Sequence, residues 1–228
     1  MQRATFHRPA RLVALALLTS FALASSVHAI EGRLRLLEDG KDRTAREARS
    51  AVIWLEPQRD APVEPMPEQE MTMQRKEFEP RVLVVTQGTA VRFPNRDPIL
   101  HNVFSVSGKN RFDLGLYRGG DGKTAVFDHP GVVRVFCNVH HAMVAYIAVV
   151  DTPYHLVPSD GTFSFDDVPP GPARLTVWHE RADPKTLDLQ IPTDRSIDIT
   201  LELTKPRVPR HRNKFGEPYS RRSRGRAY

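Results

Sequence analysis

The chain has 228 residues, with 33 Lys and Arg, 27 Asp and Glu and a single cysteine, for a formal net charge of +6. One cysteine excludes a disulfide framework within the chain, and after the first 29 residues no apolar run is long enough to cross a bilayer. The charge is uneven. Residues 205–228 hold nine Lys or Arg against one acid, Glu217, whereas residues 30–204 hold 21 basic and 26 acidic groups, so the basic character belongs to the tail and the body is mildly acidic.

In chain order, residues 1–29 read as a signal peptide. MQRATFHRPAR is a basic start, LVALALLTSFALA an apolar segment of signal length, and Val27-His28-Ala29 a small-residue cleavage site. This predicts export by the general secretory route, a periplasmic location and a mature chain that is not inserted in a membrane. Strand signals follow at 32–37, 51–55, 81–85, 90–93, 101–107, 124–127, 132–137, 144–150, 162–165, 173–179, 186–191 and 197–203. Turn residues such as Gln87-Gly88, Ser107-Gly108, His129-Pro130-Gly131 and Pro169-Pro170-Gly171 separate them. Many short strands with such punctuation predict an all-β fold of sandwich type. Residues 38–50 read as a short helix or a charged loop. QRDAPVEPMPEQE, residues 58–70, reads as an extended Pro-rich linker, and FDLGLYRGG, residues 112–120, as a loop. The tail, residues 205–228, has no apolar periodicity and is expected to be disordered.

The lone cysteine sits in FCNVHHAM, residues 136–143. In an exported chain an unpaired thiol is inert, bonded to another molecule, reactive, or a metal ligand. A His2Cys set with a weak axial Met suits copper cycling between its two oxidation states. Cys137, His140 and Met143 supply three of these ligands on one tight loop between the strands predicted at 132–137 and 144–150. His101, which follows FPNRDPIL and opens HNVFSVS, is the candidate for the fourth. Structural zinc is the poorer fit, because it draws on several Cys or His and has no use for Met. His129, His155, His179 and His211 show no ligand spacing and read as surface or structural residues. His211 with the tail is a weaker alternative metal site.

FPNRDPILHNVFS followed by PGVVRVFCNVHHAMVAYIAVV resembles the cupredoxins, the blue copper proteins, and its Cys-x-x-His-x-x-Met spacing is most similar to amicyanin and its plastocyanin-like relatives, of the methylamine-utilisation type. The resemblance covers residues 71–152. It implies a Greek-key β-sandwich and one type 1 copper per chain, held by His101, Cys137, His140 and Met143. Asn102 falls where the family uses an asparagine to hydrogen-bond the ligand loop, and Asn138 is placed with it as a supporting residue. The loop departs from the family in lacking proline, so Asn138, Val139 and His141 predict greater mobility, with His141 a competing ligand. The resemblance further implies redox protein partners docking on an apolar rim around His140, to which Pro98, Ile99 and Leu100 would contribute, and by analogy an amine-dehydrogenase chain such as methylamine oxidation.

SDGTFSFDDVPPGPARLTVWHE resembles the transthyretin-like, carboxypeptidase-regulatory type of β-sandwich. EGRLRLLEDGK and SAVIWLEP look like its first strands, so residues 30–57 and 153–204 would form one sandwich with the copper domain inserted. The alternative gives 51–55 to the copper domain. No catalytic constellation is visible, and Asp166-Asp167 reads as turn chemistry. The expectation is an exported, monomeric, non-enzymatic electron carrier with no nucleic-acid partner, whose tail touches an acidic partner or membrane surface or merely solubilises the chain. A copper chaperone or store, and a metal-free β-sandwich interaction module, are the alternatives.

Overall fold

The computed structural model describes residues 28–58, 63–193 and 195–219. Most of the expected signal peptide, residues 1–27, and the tail residues 220–228 lie outside these. The first segment runs β1 (His28–Glu38), β2 (Lys41–Asp42), α1 (Thr44–Glu47), a 3-10 turn (Ala48–Ser50) and β3 (Ala51–Pro57). The middle segment holds β4 (Gln69–Glu70), β5 (Thr72–Gln74), β6 (Glu77–Glu79), β7 (Val82–Thr86), β8 (Thr89–Asn95), β9 (His101–Ser105), β10 (Phe112–Tyr117), β11 (Gly120–Phe127), β12 (Gly131–Phe136) and β13 (Val144–Val150). The last segment holds β14 (Tyr154–Leu156), β15 (Thr162–Val168), β16 (Gly171–His179), β17 (Lys185–Ile191) and β18 (Ile197–Glu202). Among the described residues no helix is long and apolar enough to cross a membrane.

The strands form four sheets: β15-β1-β18 with β2 on β1, β14-β3-β16-β17, β10-β9-β12-β13-β7, and β11-β8-β5-β6 with β4 on β8. Strands from the two ends of the chain thus share sheets. β1 runs antiparallel to β15 and parallel to β18, and β3 lies between β14 and β16. Gly32 has no room for a side chain, because a Cβ there would fall 2.2 Å from the Phe163 ring.

Alternation along the strands sorts their side chains into three cores. Ile30, Leu34, Leu36, Ile53, Leu55, Leu175 and Val177 fill the core between the first two sheets. Val91, Phe93, Val103, Phe127, Val135 and Ile147 fill the core between the last two. A third cluster, with Val52, Val82, Val84, Phe104, Phe136, Val144, Tyr146 and Ala148, joins the sandwiches, and Trp54 and Trp178 pack against it. VAYIAVV reads as a continuous apolar run for this reason. In β13, Ala145, Ile147 and Val149 face one core, and Val144, Tyr146, Ala148 and Val150 face the other. Strands buried on both faces lose polar alternation.

Two expectations are corrected. Residues 112–120 are not a loop: Phe112–Tyr117 is an edge strand, with Leu116 opposite Asn102 and Tyr117 opposite His101. Residues 205–219 are not a disordered tail: they lie against the body, with Tyr219 buried and Arg207 bonded to the buried Glu47. Solvated-looking composition misleads here because Arg207 finds the buried Glu47, and the His211 and Tyr219 rings pack on Phe136 and on each other, while Phe215 stays exposed.

The sandwiches are also joined by charge. Arg81 Nε donates to both Glu180 oxygens, at 2.8 and 2.9 Å, and its Nη1 donates to the Val144 carbonyl at 3.0 Å. The Glu180 side chain is fully buried. Replacing it would strand the Arg81 guanidinium at the junction, so Glu180→Ala is expected to cost roughly 1–3 kcal/mol, read as an earlier urea midpoint.

Candidate metal centre

His101 is the first residue of β9 and is fully buried, so its ring must find polar partners inside the protein. Its Nε2 lies 2.8 Å from Asp97 Oδ2. Asp97 accepts two further bonds, from the Arg75 N–H at 2.7 Å and the Lys76 N–H at 2.9 Å, and its own N–H donates to Asn95 Oδ1. Arg75 and Lys76 are the two central residues of the β5–β6 hairpin, and both have positive φ, 53° and 59°. That turn type favours Gly or Asn, and non-glycine residues in it cost about 1–2 kcal/mol each. The Asp97 carboxylate binds the two N–H groups this turn presents. It thereby converts an unfavourable turn into the anchor of His101. With an ionised carboxylate on Nε2, that nitrogen carries the proton and Nδ1 keeps a free lone pair.

Nδ1 of His101 faces the loop between β12 and β13. The Cys137 N–H donates to the Met143 carbonyl at 3.2 Å and the Met143 N–H to the His140 carbonyl at 3.0 Å, which closes residues 137–143 into a compact turn. Cys137 Sγ is 3.7 Å from His101 Nδ1 and 3.7 Å from His140 Nδ1, and the two nitrogens are 3.2 Å apart. Among the described residues these three side chains form the grouping able to hold a metal ion. A triangle with such edges has an interior point roughly 2 Å from all three atoms, the length of a bond from a borderline metal to imidazole or thiolate. Two nitrogens and a sulfur converging on one point cannot all satisfy each other by hydrogen bonding, so the donor set fits a cation. Met143 is buried in the same core as Cys137.

The protonation states favour the same reading. Burial pushes His101 down against the upward pull of Asp97, and burial with the neighbouring His101 pushes His140 down, so both imidazoles are neutral at neutral pH. Burial pushes the Cys137 thiol up, although the N–H groups of Asn102, Val139 and His140 are aimed at the sulfur and favour its thiolate.

His101, Cys137 and His140 are therefore brought to one place, and Met143 closes the same loop through its backbone and is buried in the same core as Cys137. The expected Asn102 contact takes another form. Its backbone N–H addresses the Cys137 sulfur, while its side-chain Nδ2 donates to Asp113 Oδ1 at 2.7 Å. Asn138 Oδ1 accepts the Lys214 N–H at 3.0 Å, a partner from the tail. His141 faces the tail, its ring 6.0 Å from that of Tyr219, and His211 stacks on Phe136 at 4.2 Å. Asp97 was not legible as a site residue. Its only signal was its place four residues before His101, and the hairpin that binds it has no Gly or Asn to announce it.

Scans of family models and of curated proteins find no match. Among solved structures the chain is similar to a purple cupredoxin from Nitrosopumilus maritimus (22% identity over 36% of this chain and 99% of that one, TM-score 0.33). It is also similar to amicyanin from Paracoccus versutus (17% identity, 42% and 97%, TM-score 0.33) and to a copper-containing nitrite reductase from Thermus scotoductus SA-01 (22% identity, 51% and 28%, TM-score 0.36).

Because the apo thiol is protonated and both imidazoles are neutral, binding at pH 7 should release about one proton per metal, and affinity should rise about tenfold per pH unit. Unbuffered titration with a pH electrode reads this directly; no proton release would mean the thiol is not a ligand. Asp97→Asn should weaken metal binding by roughly 10–100-fold in a competition titration, because His101 loses its fixed tautomer.

Proposed function

We propose that the protein is a type 1 copper electron carrier of the periplasm, with His101, Cys137 and His140 as the trigonal ligands and Met143 as the axial one. The observation that carries this reading is the convergence of one cysteine sulfur and two imidazole Nδ1 atoms on a single point. Copper held there supplies a one-electron couple tuned by a weak thioether ligand. The chain's own residues do the rest. Asp97 fixes the His101 tautomer, Cys137 supplies the thiolate, and the packed strands β9, β12 and β13 keep the donors at their spacing.

Access supports carriage in preference to chemistry on a substrate. His101, Cys137 and Met143 are buried, whereas His140 is half-buried. Beside it in the chain Val139 is 40% exposed, and Ile99, Leu100 and Leu116 expose 36%, 40% and 58%. A redox partner docking on these apolar side chains would approach the His140 edge. An amine-dehydrogenase-linked chain is the donor class suggested by the amicyanin-like loop. The strands of residues 30–57 and 153–204 fit a transthyretin-like support domain, and a monomer suffices for this role.

The test is a Cu(II) titration followed by visible absorption and electron paramagnetic resonance. An intense band at one copper per chain, lost on reduction and regained on oxidation, is expected. Weak, colourless binding would overturn the assignment, and ready surrender of Cu(I) to a chelator would favour a chaperone. Cys137→Ser should abolish the band with the β-fold intact. Met143→Leu should raise the reduction potential, and unchanged electrochemistry would remove Met143 from the ligand set.

A further inference from the structure

Residues 205–219 follow a defined course from the second sandwich to the ligand loop. They begin at a cluster of buried charge. The Lys205 N–H donates to the Arg181 carbonyl and Arg181 Nε returns a bond to the Lys205 carbonyl, both at 2.9 Å. Arg207 Nη2 donates to Glu47 Oε1 at 2.6 Å, and the Arg207 carbonyl accepts from Arg81. His211 then lies flat on Phe136, the residue before Cys137, with an interplanar angle of 14°. A turn follows. Asn213 Oδ1 accepts the N–H groups of Phe215 and Glu217, and Gly216 adopts the left-handed φ of 80° that the reversal requires.

That turn delivers two residues to the loop. The Lys214 N–H donates to Asn138 Oδ1 at 3.0 Å, and its Nζ reaches Asp113 Oδ2 at 2.7 Å. Asp113 also receives Asn102 Nδ2, and the Asn102 backbone addresses the Cys137 sulfur. Tyr219 is buried, its ring edge-on to His211 at 5.2 Å, and its hydroxyl donates to the Cys137 carbonyl at 3.2 Å. The first two residues of the ligand loop are thus tied to the tail, and Asn102, whose amide addresses the sulfur, is reached through Asp113.

We propose that residues 205–219 are an intramolecular strap that positions the ligand loop, with Tyr219 and Lys214 as its positioning residues. The proposal rests on the copper reading above for its purpose, but its geometry stands without the metal. The loop CNVHHAM has no proline to stiffen it, and a small loop holding a metal at fixed geometry must be restrained either by its own sequence or from outside. Here the restraint is external, and it originates in the other sandwich.

Amide exchange of the metal-free protein tests it, comparing the full chain with Tyr219→Phe, Lys214→Met and a chain ending at Val208, which keeps Arg207 on Glu47. Tyr219→Phe removes one hydroxyl bond, so exchange across residues 137–143 should quicken roughly tenfold, and more in the shortened chain, while β13 amides keep their protection. Unchanged loop exchange in the shortened chain overturns the strap. If shortening also strips protection from β13, the two point variants decide, and unchanged loop exchange in both overturns it. With Cu(II) loaded, Tyr219→Phe should alter the paramagnetic hyperfine splitting or the visible band, which a tail that merely packs would leave as they were. A full chain that gives no blue band removes the copper reading, and the exchange measurement still decides the strap.

Discussion

The double burial of β13 is the constraint on which the rest of the molecule depends. Its seven residues present alternate faces to the middle-segment core and to the cluster that joins the sandwiches. A one-residue slip would exchange the two sets and set Tyr146 into a space shaped for Ile147. Tyr146 packs on Trp178 at 5.2 Å, and its N–H is held by the Arg81 carbonyl. Each fully buried side chain of this size contributes roughly 1.5–3 kcal/mol, so the register is strongly specified. Since β12 pairs with β13 residue for residue from Gly131 to Phe136, the loop joining them starts and ends at fixed points. The positions of the candidate ligands are therefore set by packing some distance from those residues themselves.

The site adds a local arrangement of charge to that frame. One carboxylate, Asp97, accepts from two backbone groups and one imidazole, which leaves it ionised below the usual carboxylate range, although burial opposes this. It is the partner that lets a fully buried histidine present a lone pair in one direction. On the other side Asp113 accepts from Asn102, Gly115 and Lys214 and is likewise held ionised. Asp97 is the acid that acts on the imidazoles, against the nearby Lys76 cation, whereas Asp113 is paired with Lys214.

Buried charge also explains why two sandwiches and a tail act together. Glu47 takes Arg207, and Glu180 takes Arg81, whose guanidinium also reaches the Val144 and Arg207 carbonyls. Such networks contribute little net stability compared with an apolar junction, because desolvation offsets the attraction, but they are intolerant of a missing partner. Their effect is to fix one relative arrangement of the pieces. Tyr219 belongs to the same logic, since burial and the neighbouring Cys137 push its hydroxyl up to about 12 and keep it a donor.

By itself, the sequence determined the strand content, because period-2 alternation between turn residues is a local property. It also pointed to the candidate donors, because Cys137, His140 and Met143 lie within seven residues on one turn, and His101 opens an apolar strand. The second strand system was legible in the alternating runs of β1, β3, β15 and β16. Tertiary structure alone decided what depends on distant pairing. Phe112–Tyr117 became a strand because β9 offered it an edge, although its glycine argued for a loop. Arg75 and Lys76 adopt a turn that their residue types disfavour, because Asp97 waits to accept both N–H groups. The tail acquired its course from Glu47, Phe136 and the Cys137 carbonyl, all far away in the chain. Composition reports how a segment behaves when it meets only water, and residues 205–219 meet the buried Glu47, the Phe136 ring and the 137–143 loop instead.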